Sequence, residues 1–366
     1  MNKALISGYY GFNNLGDEAI LETMIRSISR MDEKVELTVL TASPETTKAD
    51  LGIETVHRSK LLSVIKAVMD TDILISGGGS LLQDTTSKRS IHYYLAIIIF
   101  GLIFRKPIML YSHGIGPVSK PGNRRIMKWV LSRVDAITVR ESNSKIDLIN
   151  MGIDPDKIHV TADPVVDMEK IEMALGRDIL KKAFDRNIDD KPLVGISMRT
   201  KDFQTEADRQ KLEKLIQSLT PSYNIVMIPF HLKEDLDICV WAKSDTVAVI
   251  DKEHTAGEIM SVVENLDALI GVRLHSLIFA AVAEVPLIGI SYDPKIDYFL
   301  ETLGLEAIGK IKDFEPNQIK DALDAIIADR DIAVQYLSEH VHELRMKFKT
   351  NELILGNLLQ RGKMHG

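Results

Sequence analysis

The segment Ala268–Leu277 reads Ala-Leu-Ile-Gly-Val-Arg-Leu-His-Ser-Leu, an apolar run that ends at Gly271 and opens an Ala-rich helical stretch. Arg273 and His275 therefore fall at a strand-to-helix corner, beside the unpaired amides of a helix start. An arginine at such a corner clamps a carboxylate or phosphate through two parallel hydrogen bonds, and a histidine gives or takes a proton near neutral pH. Two more cations hold equivalent positions: Arg199 after Gly195–Met198, and Lys295 after Leu287–Ile290. Arg140 follows the run Ala136–Val139 and either faces a ligand or pairs with its neighbour Glu141. Any one of these is an ordinary surface charge. Together, at strand ends of an acidic chain, they predict a site for a small polyanion.

Three glycine-rich loops follow other strand-like runs. Gly8–Glu18 carries Gly8, Gly11 and Gly16 among Asn13, Asn14, Asp17 and Glu18, a density of donors and acceptors suited to a polyhydroxyl ligand. Its spacing is neither G-x-G-x-x-G nor a P-loop. Asp17 also reads as a helix N-cap. The triplet Gly77–Gly79 predicts a backbone floor under a ligand, with Gly78 and Gly79 in reach and Asp84 a helical turn beyond. His113, in Ser112-His-Gly-Ile-Gly-Pro117, is either a site residue or a satisfied loop histidine.

Much chemistry is excluded. Cys239 is the one cysteine, so no internal disulfide and no cysteine-rich metal site can form, which fits a reducing cytoplasmic setting. There is no H-E-x-x-H and no G-x-S-x-G. Asp154-Pro-Asp156 and Asp235-Leu-Asp237 look like D-x-D metal dyads, but neither ends a strand cleanly; no metal is expected. With 45 Lys and Arg against 52 Asp and Glu, the formal charge of -7 argues against a nucleic-acid partner.

The elements that must position these residues are those of a doubly wound α/β chain. Lys3–Ser7, Val35–Leu40, Ile73–Ser76, Ile108–Ser112 and Ala136–Val139 are continuously apolar, as strands of a parallel sheet covered on both faces must be. Helical stretches lie between them. The pattern weakens over Val165–Asp190 and restarts at Leu193–Ser197, Ile225–Ile228, Ala248–Ile250, Ala268–Ile270 and Leu287–Ile290. At 366 residues, two Rossmann-like domains are expected: 1–165, a linker at 166–190, and 191–366 with a C-terminal helix packing back on the first domain. Ligands of such sheets sit at strand carboxyl ends, here in a cleft between the domains. The N-terminus does not read as a signal peptide. Ile91–Phe104, bracketed by Lys88–Arg89 and Arg105–Lys106, is too short to span a bilayer. It is either a core helix or a surface helix dipping into one.

Four segments in this order, G-Y-Y-G-F-N-N-L-G-D-E-A-I-L, I-S-G-G-G-S-L-L-Q-D, V-R-E-S and G-V-R-L-H-S-L-I-F-A, resemble the polysaccharide pyruvyl transferase family over essentially the whole chain. Within it, the chain is most similar to the Gram-positive enzymes of secondary cell-wall polymers (the CsaB type). The resemblance implies a glycosyltransferase-B-like fold and transfer of pyruvate from phosphoenolpyruvate, a substrate rather than a cofactor. The implied acceptor is the 4- and 6-hydroxyls of N-acetylmannosamine in a lipid-diphosphate-linked disaccharide, giving a cyclic ketal, free phosphate and a role in S-layer anchoring. Its donor site falls on Arg273, Leu274, His275, Lys295 and Arg140, joined by Arg199 from the strand-end pattern. Its acceptor site falls near Asn13, Asn14, Asp17, Gly78, Gly79 and Asp84. His275 is expected as the acid, with Arg273 stabilising charge and Asp17 as base. A cytoplasmic location at the inner membrane face fits such an acceptor, with membrane contact through 91–104 if that helix is the surface one. Two readings compete: a glycosyltransferase of the same fold using a nucleotide sugar, and a non-catalytic sugar-precursor binder.

Overall fold

A computed structural model describes residues 2–31, 34–84, 90–185 and 190–364. They divide into two compact units, the first made of Met1–Phe12, Asp17–Asp167 and Leu344–Gly366, the second of Asn13–Gly16 and Met168–Glu343.

The first unit runs β1 (Asn2–Ser7), α1 (Leu15–Ser29), β2 (Val35–Thr41), α2 (Pro44–Leu51), β3 (Glu54–His57), α3 (Leu61–Asp70), β4 (Ile73–Ser76) and β5 (Gly79–Leu82). It continues through α4 (Ser90–Ile103), β6 (Ile108–Ile115), α5 (Pro121–Leu131), β7 (Ala136–Val139), α6 (Ser142–Asn150) and β8 (Ile158–Val160). Its parallel sheet has the order β3-β2-β1-β4-β6-β7-β8, with β5 paired along the far end of β6. The chain moves outward from β1 to β3 and returns to β4 on the other side of β1. That reversal makes a switch point between β1 and β4. All four residues of β4 and all eight of β6 are buried, which is why these strands carry no polar alternation.

The second unit holds α7 (Met173–Phe184), β9 (Leu193–Ser197), α8 (Glu206–Leu219), β10 (Asn224–Met227), α9 (Leu232–Trp241), β11 (Val247–Val249), α10 (Ala256–Glu264) and β12 (Ala268–Gly271). After these come α11 (Leu274–Val282), β13 (Leu287–Gly289), α12 (Pro294–Thr302) and α13 (Pro316–Ala328). The sheet order is β11-β10-β9-β12-β13, again parallel, with its switch point between β9 and β12. Helices α14 (Arg330–Phe348) and α15 (Thr350–Met364) end the chain.

The expected linker at 166–190 is not one. Helix α7 is packed against α10: the Gly176 amide donates to Ser261 Oγ at 2.9 Å, and that hydroxyl donates to the Glu172 carbonyl at 2.8 Å. Residues 186–189 of the stretch lie outside the described residues. In the first unit, Asn351 of α15 accepts from Thr138 Oγ1 at 2.5 Å and donates to Ser112 Oγ at 3.0 Å, anchoring the chain's end to β6 and β7.

Of the two readings of 91–104, burial of Ile91, Tyr94, Leu95, Ile97 and Ile98 makes α4 a core helix on its inner side. Its Gly101 lies so close to Leu74 and Ile108 that a side chain there would fall 2.8 and 2.9 Å from them. Lys88 and Arg89, the expected basic flank, lie outside the described residues. Among the described residues no helix is long and apolar enough to cross a membrane.

Candidate active site

The two switch points differ in what fills them. In the first unit the glycines expected as a ligand floor house a side chain of the protein instead. Tyr10 is fully buried, and side chains built on Gly8 or Gly77 would overlap its ring and hydroxyl. A side chain on Gly78 would meet Ile20, Pro164 and the Tyr111 carbonyl at 3.1–3.4 Å. Gly79 has φ +98°, and the space beside its Cα is bounded by Asp17 Oδ1. Gly77 thus makes room for Tyr10, while Gly78 packs against Ile20 and Pro164.

Other first-unit expectations change as well. Asp17 is not the N-cap of α1; it sits within the first turn, and Asn14 Oδ1 accepts from the Gly16 amide at 3.2 Å in the capping position. Asp84 is buried and accepts from the Ser119 and Lys120 amides and from Asn123 Nδ2 at 2.8–3.0 Å. Burial opposes its charge, yet those donors hold the carboxyl below the usual range. Its oxygens are taken up organising the entry to α5, not facing a ligand. Arg140 forms the ion pair: Nε to Glu141 at 2.9 Å, Nη1 to Asp163 at 3.0 Å, and Nη2 to Ser80 Oγ at 3.0 Å. Its charge is matched by two buried carboxylates, so it is not the free cation the strand-end position suggested.

His113 is a core residue, with Nε2 3.1 Å from the Ser76 carbonyl. Burial, then the Arg140 charge, brings its pKa down to about 4. An unfolded histidine titrates near 6.5, so the unfolded chain takes a proton that the native protein refuses across that window. Stability should therefore fall as pH drops from about 6.5 toward 4, by an amount approaching 3 kcal/mol from this residue. Urea denaturation at neutral and at acid pH measures it; His113→Gln should remove this part of the pH dependence.

The second unit's switch point carries the charges. Arg199 follows β9, Arg273 and His275 follow β12, and Tyr292 and Lys295 follow β13. Arg199 is buried, its guanidinium carbon 3.5 Å from the Tyr292 ring centroid and its Nε 3.3 Å from Asp202 Oδ2. Among the described residues its Nη1 meets no hydrogen-bond partner. Lys295 Nζ lies 5.3 Å from the same ring centroid.

Arg273 is held from below. Asp235, at 0% side-chain exposure, accepts from Nε at 2.9 Å and from Nη2 at 2.5 Å, while the exposed Glu234 accepts from Nη2 at 2.9 Å. Burial disfavours the Arg273 charge, but Asp235 and then Glu234 outweigh it and keep the guanidinium protonated beyond its ordinary range. Asp235 also accepts from the His231 amide at 3.1 Å, so it closes the first turn of α9. This removes Asp235 from any D-x-D metal dyad. Asp154 is likewise occupied, accepting from the Asp156 amide at 3.0 Å. Among the described residues no group of three or more His, Cys, Asp or Glu is placed to hold a metal ion.

The tetrapeptide Asn13–Gly16 completes the corner. Asn14 bridges to His231, the Leu15 amide donates to the Phe230 carbonyl at 3.2 Å, and Asn13 Nδ2 donates to Glu253 at 2.5 Å. Asn13 and Asn14 are thus engaged within the second unit. A side chain on Gly16 would overlap the imidazole of His275, so only glycine lets the backbone pass so close to the ring.

Sequence reasoning missed His231, and met Asp235 only as half of a metal dyad, not as the partner of Arg273. His231 is buried, and its Nδ1 finds no hydrogen-bond partner among the described residues. It follows the apolar β10 as Arg273 follows β12, a parallel that was available in the sequence.

The polysaccharide pyruvyl transferase family model matches residues 14–294, a span containing every one of these second-unit residues except Asn13 and Lys295. The chain belongs to this family. It is a transferase of pyruvyl groups in polysaccharide biosynthesis. The amylovoran biosynthesis protein AmsJ of Erwinia amylovora is 22% identical, the match covering 97% of each protein. Among solved structures, the transferase resembles the MnaA–UDP complex of S. aureus (TM-score 0.66, 12% identity, 92% of this chain and 91% of that one). It also resembles Anabaena HepE with UDP-glucose (TM-score 0.62, 14% identity, 98% and 99%). These likenesses establish a glycosyltransferase-B-like fold for the pyruvyl transferase.

Proposed function

We propose that the transferase takes pyruvate from phosphoenolpyruvate and closes it as a cyclic ketal on two hydroxyls of one sugar. The acceptor is the N-acetylmannosamine of a lipid-diphosphate-linked disaccharide, modified at its 4- and 6-hydroxyls, as in the secondary cell-wall polymers that anchor S-layers. The observation that supports this reading is that Arg199, Arg273, His275 and Lys295 all follow the adjacent strands β9, β12 and β13 of the second unit, with Arg199 and Lys295 both beside the Tyr292 ring. Phosphoenolpyruvate, a carboxylate and a phosphate on one small frame, suits that set of cations.

The reaction follows from these residues. His275 gives a proton to the methylene carbon, which becomes a methyl group and leaves C2 electron-poor. One sugar hydroxyl attacks C2 and loses its proton to a carboxylate, for which Asp17 is our candidate. The C2–O bond to phosphate breaks, and the second hydroxyl closes the ring. Of the two hydroxyl protons, one restores His275 and the other leaves with phosphate. Arg273, Arg199 and Lys295 hold carboxylate and phosphate while charge moves from the enol ester to the leaving group, an electrostatic contribution.

The test is phosphate release from phosphoenolpyruvate with and without an aryl-tailed N-acetylmannosaminyl disaccharide. Acceptor-dependent release, with one pyruvyl group gained in the product mass, is the expected result. Absence of release together with thermal stabilisation by a nucleotide sugar would replace this donor with that of the glycosyltransferase reading.

A further inference from the structure

Helix α4 occupies an outer layer of the first unit yet carries no carboxylate, lysine or arginine between Ser90 and Ile103, and His92 is its one histidine. Ile91, Tyr94, Leu95, Ile97 and Ile98 fill the core, Ile99, Phe100 and Leu102 are half-buried against its edge, and His92 and Ile103 are exposed. A surface helix of a soluble domain ordinarily turns charged residues outward. Here the exposed positions are His92 and the apolar Ile103, at 63% exposure.

The flanking helices extend this face. Helices α3 and α5 each pack beside α4 over the same core, contributing Val64 and Val68 from one and Met127, Val130 and Leu131 from the other. Their outward residues include Leu62 at 83% exposure, Met69 at 52% and Trp129 at 49%. Cations are interleaved with them: exposed Lys66 on α3, Arg105 after α4, and Arg125 and Lys128 on α5. From Val118 to Val134 the chain has five basic residues and no acidic one, in a protein whose formal charge is -7.

We infer that the α3–α4–α5 face docks on an anionic lipid bilayer. Three features select this occupant. Apolar side chains mixed with Lys and Arg match the acyl–headgroup boundary, and an amphipathic aromatic such as Trp129 suits that depth. The strong local excess of positive charge complements anionic headgroups. A second copy of the chain, joined through the same face by two-fold symmetry, would set this positive surface against itself. Helix α4, with 14 residues and a length of about 21 Å, is too short to span and lies along the surface. The surface is carried by the first unit alone and does not depend on the pyruvyl-transfer reading. It would hold the protein where a lipid-borne substrate resides.

The experiment is co-sedimentation of the full chain with vesicles of phosphatidylcholine, or of equal parts phosphatidylcholine and phosphatidylglycerol, at low and high salt. Binding to the anionic vesicles alone, released by salt, is expected. The double variant Arg125→Glu, Lys128→Glu should lower partitioning by at least about tenfold, since each cation near such a surface contributes about 1 kcal/mol. Leu62→Ser with Ile103→Ser should weaken it independently. Thermal melts of the variants confirm folding, and none of these residues belongs to the proposed active site, so turnover of a water-soluble acceptor should persist. Failure to bind anionic vesicles, or binding indifferent to these substitutions, would overturn the inference. So would a concentration-dependent dimer, seen by sedimentation velocity, that the same variants dissolve; the face would then belong to a second copy.

Discussion

His275→Ala should lose about 10²–10⁴-fold in kcat for pyruvyl transfer while melting at the wild-type temperature, because general acid catalysis is worth that much and the side chain is only half-buried. His275 lies at the first turn of α11, and the residue before it packs into the core. Truncation at Cβ therefore removes the proton carrier without opening a cavity among Leu277, Ile278 and Phe279. His275→Asn retains a polar side chain of similar shape with no proton to deliver near neutral pH, and should be as inactive as the alanine variant. Gly16→Ala offers a geometric counterpart. A methyl group there overlaps the imidazole, so the ring must turn away or the start of α1 must shift. Either displacement separates the acid from its carbon, and positional errors of about 1 Å cost on the order of 10²-fold. Single-turnover phosphate release separates the chemical step from binding. Wild-type chemistry in His275→Ala would assign the proton to another group, and His231, buried after β10 two strands away in the same sheet, would be the next to replace.

How far the sequence alone leads can be seen strand by strand. β4, β6, β7, β9 and β12 are legible because burial on both faces of a parallel sheet demands apolar runs, and these are too short for buried helices. β3 (Glu-Thr-Val-His) and β8 (Ile-His-Val) escape notice for the opposite reason. Both lie at sheet edges, where half-exposed polar residues dilute the signal. β5 hides behind its own glycine, since the same residues that suggest a ligand floor pair with the far end of β6. At Gly77 the ambiguity is physical as well: glycine marks close approach, but the sequence does not say whether a ligand or Tyr10 makes the approach. For the second unit, Arg199, Arg273, His275 and Lys295 were readable because a cation just past an apolar strand has its place set by the strand. Asp235 was not readable. It meets Arg273 across 38 residues of chain, from the start of α9 beyond β10 to the end of β12, and β9 lies between those strands. Such a pair is a product of sheet order, which local spacing does not contain.

That pair carries the second large expected effect. Asp235→Asn should raise the KM for phosphoenolpyruvate by about thirtyfold with a smaller change in kcat, and should lower stability by about 3 kcal/mol. The stability cost arises because Asp235 has no exposed side-chain surface and holds two guanidinium nitrogens; removing its charge leaves a half-buried cation without its main counterion and weakens the closure of α9 at His231. The kinetic cost has a different origin. A free arginine side chain carries about 2 kcal/mol of rotamer entropy, which the two-point clamp has already removed before any anion arrives. Without the clamp that entropy is lost on binding instead, and about 2 kcal/mol corresponds to about thirtyfold in affinity. Since the arginine would hold the donor's anionic groups in both ground and transition states, the loss falls mainly on KM. Glu234 supplies the internal control. Its carboxylate also meets Arg273 Nη2 but is largely exposed, with 54% of its side chain open to solvent, so Glu234→Gln should cost little stability. It should lower the KM or leave it unchanged, because an anionic donor competes with that carboxylate for the same nitrogen. Initial rates at varied phosphoenolpyruvate, with urea denaturation of each variant, resolve the two effects. Equal KM values in Asp235→Asn and wild type would mean that Arg273 is positioned by the backbone of the β12 corner alone, and that the buried carboxylate serves stability without presenting the cation.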